Sequence, residues 1–134
     1  MNYLLDTHIY LWHLEANPLL KSSTRTILQN SSHSFYLSTE SIREIAIKNR
    51  DGKLTLMDTF EVVVTQARRQ SGIHLLAITT AHLIRLNILQ FPSNHRHPFD
   101  HLIICQSIEE DLTLISSDGN FPFYTNQGLK LLVN

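Results

Sequence analysis

Along the chain, short near-continuous apolar runs alternate with longer segments whose apolar positions recur at helical spacing. Five runs read as strands: Tyr3–Leu5, Phe35–Ser38, His74–Ile78, Leu112–Ser116 and Leu129–Val133. Most are apolar at successive rather than alternate positions, the pattern of strands covered on both faces. The intervening segments predict helices over Thr7–Glu15 and Leu19–Gln29, separated by a break at Asn17-Pro18. Further helices are expected over Thr39–Arg50, stopping at Asp51-Gly52, over Asp58–Gln70, over Thr80–Leu89 and over Pro98–Glu110. This order predicts an α/β fold with a mainly parallel five-stranded sheet, spanning residues 1–134 as a single domain without repeats or linkers.

Composition narrows the class without naming a chemistry. With 134 residues, 43% of them hydrophobic and 17% charged, the chain can build a core without disulfides. The single cysteine, Cys105, lies in an apolar run and reads as a buried hydrophobe. No apolar stretch approaches the ~18 residues of a membrane span, and no basic leader opens the sequence, so a cytoplasmic protein is expected. Eleven Lys+Arg against twelve Asp+Glu give a formal charge of −1. That balance argues against nucleic-acid binding driven by a general basic excess. A polyanion bound near acidic residues needs local basic groups or a cation.

A parallel sheet binds ligands beyond the carboxyl ends of its strands, which directs attention to acids just after strands. Asp6 follows the first strand, although an N-cap also explains an acid there. Asp118 follows the fourth strand in Ser116-Ser117-Asp118-Gly119-Asn120, where Asp-Gly is also an ordinary turn signal. Asp100 stands in the first turn of the helix opened by Pro98, complementing the helix dipole. Glu44 projects opposite the stripe of Ile42, Ile45, Ala46 and Asn49, four residues before Lys48, and a solvated salt bridge accounts for it. Several such carboxylates in one crevice repel unless a cation neutralises them, and oxygen donors suit Mg²⁺ or Mn²⁺.

Four segments together resemble a known family. Leu4-Leu5-Asp6-Thr7-His8 with Leu11-Trp12 is similar to the opening of PIN domains of the VapC type. The run from Ser38 through Lys48, followed by Gly52-Lys53-Leu54, resembles their second motif. His95-Arg96-His97-Pro98-Phe99-Asp100-His101-Leu102-Ile103 resembles the third, and Leu112 through Phe121 the fourth. The resemblance implies a three-layer α/β/α sandwich and a metal-dependent endoribonuclease that uses a metal-activated water. It also implies the toxin role in a toxin–antitoxin pair, with a cognate antitoxin and often a homodimer. Asp6, Glu44, Asp100 and Asp118 would be the catalytic, metal-holding acids.

This sequence departs from the family where His97 replaces an acid, His101 replaces an arginine and Arg43 replaces an aromatic residue. His97 and His101 are expected to contact phosphate, more strongly when protonated, with Arg43, Lys48 and Ser116 as further substrate contacts. Arg50, Lys53, Arg68 and Arg69 are additional candidates for the RNA backbone. Leu54, Leu56, Met57 and Phe60 carry more apolar character than one helix face needs, and read as an antitoxin or dimer contact. Three other readings remain open. His95, His97 and His101 could form a zinc site, though no Glu or Cys supports it. Asp6 could be an aspartyl nucleophile, though the second acid that such enzymes need is here His8. The fold could also be a PIN-like binding module without catalysis.

Overall fold

In the central strands, alternate residues belong to two separate cores. Tyr3, Leu5, Phe35, Leu37 and Ile115 join one cluster, while Leu4 and Leu114 join the other, so the sheet is covered on both faces. In this computed structural model, which describes residues 1–70 and 72–134, the strands are β1 (Asn2–Leu5), β2 (Ser34–Ser38), β3 (Ile73–Leu76), β4 (Thr113–Ser116) and β5 (Lys130–Val133). All four pairings are parallel, in the order β3-β2-β1-β4-β5. Leu4, Leu5, Leu114 and Ile115 are fully buried at the sheet centre. Burying each such side chain contributes about 1.5–3 kcal/mol, so the strands beside the site are also the most firmly held.

The helices are α1 (Thr7–Leu14), α2 (Ser22–Leu28), α3 (Thr39–Arg50), α4 (Phe60–Arg69), α5 (Thr80–Ile88) and α6 (Pro98–Glu109). Residues of α1 and α4 enter the first core, with Ile27 and Leu28 of α2 packed against it; Ile103, Ile104 and Cys105 of α6 enter the second. The result is the expected three-layer α/β/α sandwich. Cys105 is buried as expected, and burial pushes its thiol up to about 11. Helix α3 ends where expected: Asp51 follows it and Gly52 takes φ +73°, a left-handed conformation that glycine adopts without a Cβ penalty.

Three differences from the sequence reading have local causes. Helix α2 starts at Ser22 rather than Leu19, because the Asn17 side chain accepts the Leu19 N–H and holds a turn there. Helix α4 starts at Phe60 rather than Asp58, because the Thr59 side chain caps it by accepting the Val62 N–H. The segment Phe121–Gln127, with no element predicted, forms a 3₁₀ helix that buries Phe121 and Tyr124. Among the described residues, no helix is long and apolar enough to cross a membrane.

Candidate metal centre and active site

The chain leaves β1 toward β2 and β3 on one side, and returns to β4 on the other. The carboxyl ends of β1 and β4 therefore form a topological switch point, the crevice where open α/β sheets bind ligands. Asp6 stands directly there. Its backbone N–H donates to Ile115 O at 3.1 Å, continuing the β1–β4 pairing by one residue. It also caps α1: Oδ1 accepts the Thr7 N–H at 2.8 Å. The capping explanation thus holds, and the capping residue stands at the switch point.

Ser116 links Asp6 to the acid after β4. Its hydroxyl donates to Asp6 Oδ2 at 2.7 Å and accepts the Asp118 N–H at 3.0 Å. Asn120 fixes Asp118 from the other side, donating its backbone and side-chain N–H groups to Oδ1 at 2.8 and 3.0 Å. Ser116 is 1% exposed and both roles of its hydroxyl are taken. Its hydroxyl thereby ties Asp6 to the backbone of Asp118.

Glu44 is the largest surprise. It is buried, not solvated, because α3 packs against α1, α4 and α6 and has little free face near its middle. The expected salt bridge is present, with Lys48 Nζ 2.6 Å from Oε2 and the lysine side chain one-third exposed. Oε1 accepts the Thr7 hydroxyl at 2.7 Å, and Ser41 Oγ lies 2.9 Å from that hydroxyl. Thr7 and Ser41 were not singled out in the sequence. Their hydroxyls are what makes a buried carboxylate tolerable at this position.

Asp100 enters from the first turn of α6, where Pro98 opens the helix as expected. His95 Nε2 lies 3.0 Å from Asp100 Oδ2 and Nδ1 lies 2.6 Å from the Tyr124 hydroxyl. One ligand atom from each of His95, Asp100 and Asp118 lies within 4.8 Å of the other two, close enough to share a cation. This grouping differs from the histidine-only zinc set, because His97 is exposed and His101 turns elsewhere.

Electrostatics joins the four acids. Asp6 is pushed up to about 7, first by burial and then by the Asp100 and Glu44 charges, against the lowering effect of its bonds to Ser116 and Thr7. Asp100 is also raised, by burial and by the Glu44 and Asp118 charges, against the bond to His95. A site that resists ionisation of its own carboxylates is one that a divalent cation would relieve. The donors present, mainly carboxylate oxygens, fit Mg²⁺ or Mn²⁺.

Around this centre the predicted substrate contacts separate. Arg43 is exposed, held by Glu40 at 2.9 Å, with its guanidinium 5.3 Å from the Phe99 ring centroid. His97 is exposed at the N-cap of α6 and makes no side-chain cap bond. His101 does not fit the expected role. It is 7% exposed, its Nε2–H donates to the His95 carbonyl at 2.7 Å, and burial lowers its pKa, opposing the protonation that a phosphate contact calls for. Arg50 is tied to Asp51 at 2.8 Å, while Lys53, Arg68 and Arg69 are exposed. Leu54, Leu56 and Phe60 are half-buried and Met57 is 77% exposed. Leu56 and Met57 line a hollow with Leu11, Leu14 and Val63, next to a larger groove between α1 and α4 bordered by Leu14, Val62 and Gln66.

Comparison with known proteins agrees with this architecture. The PIN domain family model matches residues 3–125. No curated protein matches the chain. Among solved structures, a chain of VapBC2 from Rickettsia felis, solved bound to a DNA fragment from its promoter, is similar at 15% identity. The match has a TM-score of 0.66 and covers 99% of this chain and 98% of that one. A chain of VapBC-1 from nontypeable Haemophilus influenzae is similar at 16% identity, with a TM-score of 0.67 and the same coverage of both chains. At such identities the likeness concerns the fold.

Proposed function

The chain belongs to the PIN domain family, and on that premise we propose that it is a metal-dependent endoribonuclease, the toxin of a toxin–antitoxin pair. The observation that carries the reading is the convergence of Asp6, Glu44, Asp100 and Asp118, from four separate elements, on the switch point of the sheet. Their mutual repulsion favours a cation over four free charges. Asp6 and Asp100 are assigned as the main holders of Mg²⁺ or Mn²⁺, with Glu44 and Asp118 completing the set. When bound, such an ion supplies charge neutralisation at a phosphate and makes water more acidic.

The protein's own contribution is orientation. Thr7, Ser116, Asn120 and His95 each hold one acid by a hydrogen bond, so the carboxylates face the crevice before substrate arrives. Arg43 and His97, exposed on α3 and at the start of α6, are assigned to RNA phosphates. Lys48 neutralises Glu44 and stands at the same edge. A cognate antitoxin is assigned to the apolar surface at Leu54, Leu56, Met57 and Phe60, supported by the fold shared with VapBC chains. A homodimer is the assigned assembly.

Cleavage of total bacterial RNA tests the reading, with Mg²⁺, Mn²⁺ or excess chelator, by wild type and Asp100→Asn. Discrete products that need metal and fall at least about 100-fold in the variant are expected. Folded wild-type protein that gives no cleavage with either metal would move the assignment to a binding module.

A further inference from the structure

His95 is the one side chain at the site that is fully buried, bonded at both ring nitrogens and outside the four acids. Its surroundings decide which nitrogen carries the proton. Tyr124 is itself fully buried, so water does not reach it, and among the described residues His95 Nδ1 is the acceptor in reach of its hydroxyl. A buried hydroxyl proton without an acceptor costs about 1–3 kcal/mol. The satisfied arrangement therefore has Tyr124 O–H donating to Nδ1. The ring proton then sits on Nε2 and donates to Asp100 Oδ2.

The rest of the residue is pinned as well. The His95 N–H donates to Pro92 O at 3.0 Å, and its carbonyl accepts the His101 Nε2–H at 2.7 Å. Phe121, Tyr124 and His101 surround the ring, with centroids 5.8, 5.6 and 5.2 Å away. The ring has no freedom to turn its Nε2 elsewhere.

Resting on the reading of the acid cluster as a metal centre, we propose that His95 is a positioning residue for that centre. Tyr124 fixes its Nε2–H tautomer, and that N–H aims the Asp100 carboxylate rather than offering a nitrogen to the ion. His101 belongs to the same device, through the His95 backbone. The arrangement gives the Tyr124 hydroxyl and the buried pair His95 and His101 one shared task.

Two measurements test this. In metal-free protein labelled with ¹⁵N-histidine, two-bond ¹H–¹⁵N correlation should show His95 protonated at Nε2 and bare at Nδ1. A proton on Nδ1 overturns the proposal. The second measurement is Mn²⁺ affinity, from the free-ion paramagnetic resonance signal, for wild type, His95→Phe and His95→Gln. The phenylalanine should weaken binding by about 10–100-fold. Glutamine, whose amide both accepts and donates, should stay within roughly threefold of wild type, well short of that loss. Unchanged affinity in His95→Phe overturns the assignment, as does nitrogen coupling from His95 on bound Mn²⁺. Wild type that binds no Mn²⁺ would refute the metal-centre reading instead, while the proton position still decides the role of His95.

Discussion

Replacing Asp6 by Asn should stabilise the metal-free protein at alkaline pH, although Asp6 lies at the heart of the site. Folding raises this carboxyl from 3.8 to about 7. Between those values the folded state holds a proton that the unfolded state has released. Stability therefore falls as pH rises from about 4, and the full penalty is present above about 7. At 1.36 kcal/mol per tenfold, the ceiling is roughly 4 kcal/mol. Asn keeps an oxygen for the Thr7 N–H, but turns an amide nitrogen toward Ser116, which then accepts instead of donating. The weakened bonds cost about 1–2 kcal/mol. A net gain of about 2 kcal/mol is expected at pH 8.5, which at this chain length is roughly 6 °C in Tm. At pH 4 the gain should disappear. Urea denaturation in excess chelator at both pH values measures it directly, and Asn less stable than wild type at pH 8.5 would refute the reasoning. Millimolar Mn²⁺ should stabilise wild type more than the variant, because the ion offsets a repulsion that Asn has already removed.

Three other variants have expected outcomes. Lys48→Met leaves the buried Glu44 carboxylate with only its Thr7 partner, and should lower the urea-derived stability by about 1–2 kcal/mol, discounted for the exposure of the lysine. Arg43→Ala should lower stability by about 1–2 kcal/mol, because the Glu40 side chain is buried and loses its charged partner, discounted for the exposure of the arginine. The same variant should reduce by about 1 the slope of log affinity for RNA against log salt, and an unaltered slope would remove Arg43 from the interface. Met57→Asp should weaken antitoxin binding by tenfold or more while leaving the denaturation midpoint unchanged, and full-strength binding would exclude that surface.

Three of the four acids were legible because they occupy junctions. Asp6, Asp100 and Asp118 follow or open regular elements, and pattern reading locates such junctions well. Glu44 was harder, because helical periodicity treats a charge opposite an apolar stripe as solvated. Here α3 is covered on several sides, and the opposite face is also interior. Hydroxyl partners escaped notice for a different reason. Thr7 lies 37 positions from Glu44 and Tyr124 lies 29 from His95, so their pairing exists only after the sheet orders the elements. Likewise, His101 shares a helix turn with Asp100 in sequence, yet its ring turns back toward the preceding loop. The relative order of strands required tertiary information, but their number, type and direction did not.

The strand order also governs when the crevice is complete. Asp6 is held by Ser116, 110 positions further along the chain, and β1 pairs with both β2 and β4. A nascent chain can pair β1 with β2 and β2 with β3 early, yet the crevice lacks one wall until β4 has been synthesised and docked. Contacts so distant in sequence form late and slowly. An incomplete translation product therefore carries Asp6 and Glu44 without Asp118 opposite them. On the proposed function, a nuclease built this way should gain activity only after β4 has docked, so a chain truncated before β4 is expected to cleave no RNA.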